Sequence, residues 1–133
     1  MKRAISRIVV HATWSTGQRA PVVTEAIEAV LEPVLRTQCI RLGARLIALG
    51  AAMDHVHVVC TLPATTSLSA MMKALKGASG AVLLHQTEGL VAWSRGYFAE
   101  SAWPEDLETL VRYVRHQRLH HDARSTVATW EPR

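Results

Sequence analysis

The spacing of apolar and polar positions changes several times along the chain. Residues 6–13 alternate around Ile8, Val9 and Val10 and predict a first strand. A turn cluster with Gly, Pro and polar residues, STGQRAP, follows it. From Thr24, a suitable N-cap, Ile27, Val30, Leu31, Val34 and Leu35 recur at helical spacing, and Gly43 ends the run. Pro33 lies inside that pattern and predicts either a kink or two short helices, the second opened by Pro33. ARLIALGAAM and DHVHVVCTL predict two more strands with a tight turn near residues 51–54, and Pro63 closes the second. Ser67 or Ser69 can cap a helix whose stripe is Leu68, Met71, Met72, Leu75, Val82 and Leu83, with the Met pair read as core packing. GLVAWSRG predicts a loop and GYFAESAW a fourth, edge-like strand. Pro104 then stands at a first helical position, with Glu105 and Asp106 at the positive end of the last helix and Arg112, Arg115 and Arg118 further on. The tail RSTVATWEPR carries no clear signal.

The order strand, helix, two strands, helix, strand, helix predicts an α+β fold. A ferredoxin-like antiparallel sheet with helices on one face fits, plus a C-terminal helix whose place is open. No repeat, linker or second domain is visible, so residues 1–133 read as one domain.

Composition adds limits rather than a function. With 49% hydrophobic and 20% charged residues the chain is ordinary for a globular protein. No apolar run reaches the roughly 18 residues that span a bilayer, and the N-terminus reads as a strand rather than a signal peptide. Two cysteines, Cys39 and Cys60, without CxxC spacing, point to a reducing compartment, and a cytoplasmic location is expected. The net charge of +4 allows a polyanionic partner without requiring one.

The chemistry begins at AAMDHVHVVC. In a strand His55 and His57 share one face while Val56 and Val58 take the other, so the imidazoles can converge on one ligand. On the last helix, Leu107, Leu110, Val111 and Val114 form the apolar face, and Tyr113, Gln117 and His120 line its border. Alone, Tyr113 and Gln117 read as ordinary boundary residues. Beside the strand pair, Gln117 can add a carbonyl oxygen to two imidazole nitrogens, leaving open positions on a divalent ion for water and a phosphate oxygen. Such a site suits Lewis-acid catalysis on a phosphodiester, with Tyr113 placed as nucleophile.

DHVHVV followed by Tyr-x-x-x-Gln on a C-terminal helix resembles the single-tyrosine transposases of the HUH superfamily, of the insertion-sequence 200/605 type. TGQRAPVV, LSAMMKALKGASG, WSRGYFAESAW and YVRHQRLHH extend the likeness over nearly the whole chain. The resemblance implies His55, His57 and Gln117 as ligands of Mg²⁺ or Mn²⁺ and Tyr113 as the nucleophile. It further implies single-stranded DNA with hairpins as substrate, a 5′-phosphotyrosine intermediate, and a homodimer whose catalytic helix can complete the partner's site. The sequence departs from the family in lacking Pro before Asp54, in having Ala20 beside Arg19, and in its 5% aromatic content, which leaves few stacking platforms for bases.

Arg19, Lys73, Lys76, Arg112, Arg115 and Arg118 are the expected phosphate contacts. His120 and His121 are expected to flank the site or touch DNA, His116 to be a substitute ligand, and His11 and His85 to be structural or surface residues. Three rivals remain open. One is another or domesticated HUH DNA-nicking protein. A second is a histidine-triad nucleotide hydrolase, whose third histidine is missing because position 59 is Val. The third is a non-catalytic metal-binding module, whose function would survive loss of Tyr113.

Overall fold

The computed structural model describes residues 5–122 and 125–132. Four antiparallel strands, β1 (Val9–Ser15), β2 (Leu46–Ala52), β3 (His55–Thr61) and β4 (Phe98–Ser101), form one sheet in the order β2-β3-β1-β4. The short β4 lies at an edge, as its sequence predicts.

Alternation along β1 and β3 sorts side chains onto two faces. Val10, Ala12, Trp14, Val56, Val58 and Cys60 enter the larger core, beneath α1 (Glu25–Arg41) and α2 (Leu68–Gln86). Leu31 and Leu35 from α1 and Met71, Met72, Leu75 and Leu83 from α2 fill it. Cys39 and Cys60 are buried there as free thiols. The opposite face carries a smaller core of Ala48, Val59, Leu110 and Val114 under α3 (Leu107–Arg115). The C-terminal helix thus takes the sheet face that α1 and α2 leave uncovered.

The helix starts follow local chemistry. Thr24 Oγ1 accepts from the Ile27 amide at 3.2 Å and Ser67 Oγ from the Ala70 amide at 3.1 Å, each satisfying a donor that has no partner within its helix. Pro33 neither splits α1 nor ends it. Leu31 and Leu35 fasten the helix to the sheet on either side, while Pro33 and Ala29 are exposed, so the carbonyl deprived of its partner faces water. Gly43 closes the region with φ 79°. Pro104 opens a short 3₁₀ turn, Pro104–Asp106, ahead of α3 rather than α3 itself.

The last helix departs from expectation more consequentially. It is not continuous: α3 stops at Arg115, His116 adopts φ −111° and ψ 32°, and a second helix, α4, runs Gln117–Asp122.

Candidate active site

His55 and His57 lie fully buried on the face of β3 that α3 covers. Their cross-strand partners are small: Ala52 and Ser15 beside His55, Gly50 and Thr13 beside His57. That leaves space for two rings with centroids 5.1 Å apart. His55 Nδ1 donates to Asp54 Oδ1 at 2.7 Å, and Asp54 Oδ2 accepts from Arg19 Nε at 3.0 Å. Gln18 and Arg19 both sit in the left-handed region, φ 55° and 56°, and the Arg19 guanidinium also reaches Ser15 at 3.1 Å. His57 Nδ1 lies 2.9 Å from His11 Nε2, and His11 Nδ1 lies 3.3 Å from Glu100 Oε1. His11, expected to be structural or superficial, is therefore part of the site.

A glycine brings the helix to these histidines. A Cβ at Gly50 would stand 1.6 Å from the Val114 carbonyl oxygen, so α3 rests directly on β2 backbone. Gln117 Cγ would lie 3.3 Å from that same Cβ, beside the strand neighbour of His57. Gln117 is buried; its Nε2 donates to the Tyr113 carbonyl at 3.4 Å, and its Oε1 has no partner. The Tyr113 ring is 6.1 Å from the His57 ring, stacks on His120 at 4.5 Å and meets Trp130 at 5.1 Å. Its hydroxyl accepts from the Val127 amide at 2.8 Å and donates to Glu131 Oε2.

Glu131 is the residue sequence reasoning missed. Its Oε1 lies 3.0 Å from His55 Nε2, 3.5 Å from His57 Nε2 and 2.9 Å from His121 Nε2. The contacts to His55 and His57 lack hydrogen-bond geometry, leaving both Nε2 atoms buried without a bonded partner. One donor atom each from His55, His57 and Glu131 lies within 4.8 Å of the others, and the lone carbonyl oxygen of Gln117 is buried nearby on α4. Two buried ring nitrogens without a hydrogen-bond partner beside a carboxylate oxygen are an arrangement that a cation would complete. Imidazole, carboxylate and amide oxygen together suit Mn²⁺ or Mg²⁺ better than a soft thiolate-seeking metal. Among the described residues no cysteine joins the group.

The two histidines differ in charge. Burial pushes His57 down to about 4, so it is neutral at pH 7. Burial also depresses His55, but the Glu131 and Asp54 carboxylates outweigh it and raise its pKa. Tyr113 is pushed up to about 12 by burial first and then by Glu131. Burial alone would raise Glu131, yet His55, His57 and Tyr113 hold it far below the carboxylate range.

The expected phosphate-binding residues do not gather in one patch. Arg19 flanks the histidines through Asp54. Arg118 Nη2 donates to the Val23 carbonyl at 2.8 Å and to Glu28 at 3.0 Å, and Arg115 reaches the Ile47 carbonyl at 3.3 Å. Arg112 pairs with Glu108 on the exposed side of α3. Lys73 and Lys76 are on α2, across the sheet from the histidines; Lys73 is exposed, and Lys76 donates to the Ser94 and Gly96 carbonyls. His116 is exposed, with its ring nitrogen on the Arg112 carbonyl at 2.7 Å, so it is turned to its own helix rather than to the cluster. His120 and His121 flank the site as expected: His120 lies on Tyr113, and His121 lies 4.8 Å from His55, ring to ring.

Comparison with known proteins bears on this arrangement. The family model described as "Transposase IS200 like" matches residues 4–117, ending on Gln117 and leaving Glu131 outside. Transposases for insertion sequence element IS200 from Salmonella typhimurium (strain LT2) and Salmonella typhi are each 28% identical over 91 residues. Those matches take in 63% of this chain and 59% of each relative, so the chain spans under two thirds of their length. A candidate transposase from Deinococcus radiodurans R1 shares the fold with a TM-score of 0.69 at 23% identity, over 89% of this chain and 98% of its own. A REP-associated tyrosine transposase solved bound to a REP hairpin shares it at 0.66 and 15% identity, over 91% and 73%.

Proposed function

The chain belongs to the IS200-like transposase family, and from that premise we propose that it cleaves and rejoins single-stranded DNA through Tyr113 in a reaction dependent on a divalent metal. One observation carries the reading. The Glu131 carboxylate bridges the nitrogen cluster and the Tyr113 hydroxyl, one oxygen toward each. An oxyanion group therefore fits between the lone pairs and the phenol, where a backbone phosphate would have to lie for attack.

His55, His57 and Gln117 would hold the metal, with Glu131 standing where a phosphate oxygen would lie until the segment that carries it withdraws. When bound, such an ion supplies charge neutralisation to the phosphate and makes phosphorus more electrophilic. Tyr113 Oη forms the new bond to phosphorus, the P–O3′ bond breaks, and the departing 3′ oxygen takes up a proton while the phenol gives up its own. The 5′ end remains on Tyr113 as a phosphodiester. Attack by another 3′-hydroxyl reverses the step, so rejoining draws on the retained bond and uses no nucleotide cofactor.

Tyr113 is 4% exposed, beneath Val127, Trp130 and Glu131. Attack on DNA therefore requires this C-terminal segment to withdraw first. A hairpin-bearing single strand is the partner we propose, in line with the hairpin held by the REP-associated neighbour, and we take the working unit to be a homodimer. Phosphate contacts are assigned to Arg19, Lys73, Lys76, Arg112, Arg115 and Arg118, most of which would exchange a carbonyl or carboxylate partner for a phosphate. Among the described residues no helix is long and apolar enough to cross a membrane.

The test is a covalent-adduct gel with Mn²⁺ and single-stranded DNA flanking the gene, with Tyr113→Phe and His57→Ala alongside. A denaturation-resistant protein–DNA band, lost in both variants and on chelation, is the expected result. A band that persists in Tyr113→Phe would assign the nucleophile elsewhere. A folded protein that binds metal but forms no adduct with hairpin-bearing strands would favour the non-catalytic metal-binding module.

A further inference from the structure

We propose that His11, backed by Glu100, is the positioning residue that fixes the His57 ring and its proton so that Nε2 is free to ligate. The inference rests on the metal reading above and concerns residues that the sequence pattern did not connect to the site.

The sheet register assembles the three. Glu100 of β4 pairs with His11 of β1, and Thr13, two residues along on the same face, pairs with His57 of β3. A line of polar groups therefore crosses three strands from an edge to the cluster. His11 and His57 are both fully buried, and their rings lie nearly parallel, 13° apart with centroids 5.2 Å apart, as an N–H···N bond in the ring plane requires. The Glu100 side chain is 37% exposed, so its charge is partly solvated while its oxygen meets His11 at 3.3 Å.

Proton positions follow from the ends of this line inward. A carboxylate only accepts, so His11 carries hydrogen on Nδ1. Neutral His11 then presents a lone pair at Nε2, and His57 must donate to it from Nδ1 over 2.9 Å. That leaves His57 Nε2 without hydrogen. The opposite end agrees, because His57 Nε2 makes no hydrogen bond to Glu131 despite lying 3.5 Å from it. A cationic His11 would keep its Nδ1–H on Glu100 but donate from Nε2 to His57 Nδ1, which would put the proton of a neutral His57 on Nε2, where nothing accepts it with good geometry.

The two candidate ligands are thus supported differently. His55 has a carboxylate directly on Nδ1, from its neighbour in sequence, Asp54. His57 receives the same support at one remove, through an imidazole drawn from another strand. Such outer partners fix ring orientation and raise ligand basicity, and their loss typically weakens metal binding roughly 10–100-fold.

The experiment measures Mn²⁺ affinity by calorimetry and the His57 ring tautomer by ¹⁵N NMR of the metal-free protein. Wild type is compared with His11→Phe, His11→Gln and Glu100→Gln. His11→Phe should weaken Mn²⁺ by about 10–100-fold and release His57 from the Nδ1–H form. His11→Gln, whose amide oxygen can accept from His57, should recover most of both. Glu100→Gln alters a half-exposed edge position and gives a smaller loss in the same direction should His11→Phe not fold. Wild type with His57 protonated on Nε2 would overturn the inference, as would unchanged affinity and tautomer in the variants while wild type binds Mn²⁺. A wild type that binds no Mn²⁺ would instead overturn the metal reading and the inference with it.

Discussion

Gly50→Ala is the smallest change that separates Tyr113 from the histidines. The added methyl would meet the Val114 carbonyl oxygen at 1.6 Å and its carbon at 2.6 Å. Both are backbone atoms, so no rotamer change relieves the clash. Real Cβ contacts essentially never fall below 3.0 Å, so the two segments must part by about 1.4 Å. β2, an edge strand, is held along one side by its pairing with β3 from Leu46 to Ala52. The movement falls on α3, and Val114 stands between Tyr113 and Gln117. Overpacking of this kind costs roughly 1–3 kcal/mol of stability, and a misplacement of about 1 Å in a reacting group costs on the order of 10²-fold in rate. Single-turnover adduct formation with Mn²⁺ is the assay, and urea unfolding gives the stability loss. We expect a folded protein with an adduct rate lower by about two orders of magnitude. A folded Gly50→Ala protein reacting at the wild-type rate would refute the idea that close seating of α3 on β2 sets the geometry of Tyr113.

Three other outcomes are expected. A chain ended at Asp122 removes Val127 and Glu131 from the Tyr113 hydroxyl, so its pKa should fall from about 12 toward the ordinary value near 10 in an ultraviolet titration, and adduct should form faster; slower adduct would make the tail part of the catalytic arrangement rather than its cover. Asp54 lies below its usual pKa because bonds from His55 and Arg19 outweigh the burial that would raise it, so it stabilises the fold above about pH 4 and that contribution is lost as pH falls through its folded value; Asp54→Asn should flatten this acid-side slope in urea titrations, and an unaltered slope would show the bonds to be without net effect. Leu75→Ala empties the larger core beneath α2 and should cost about 2–5 kcal/mol while Mn²⁺ affinity of the remaining folded protein, read by calorimetry, stays as in wild type.

What could be read from the sequence was what local periodicity and capping determine. The common face of His55 and His57 follows from a period of two, and Thr24 and Ser67 announce their helices by side-chain chemistry. What escaped depends on pairing between distant segments. His11 joins His57 only through the register of β1 on β3, which no window within either strand encodes. Glu131 arrives from a tail without apolar rhythm, and only the folded path of Val127 and Trp130 over Tyr113 brings it there. The break at His116 was hidden because the helical pattern of Tyr113, Gln117 and His120 continues unbroken in sequence while the backbone does not.

The unequal cores divide the protein between endurance and work. Sheet, α1 and α2 are held by a broad apolar interior, whereas α3 is fastened by its own Leu110 and Val114 against Ala48 and Val59 and by a shallow fringe. Damage to the lesser interior should therefore unseat Tyr113 from the histidines while the larger core keeps the protein folded. Substitutions there would leave a durable scaffold whose sheet, α1 and α2 keep their shape without the alignment of α3.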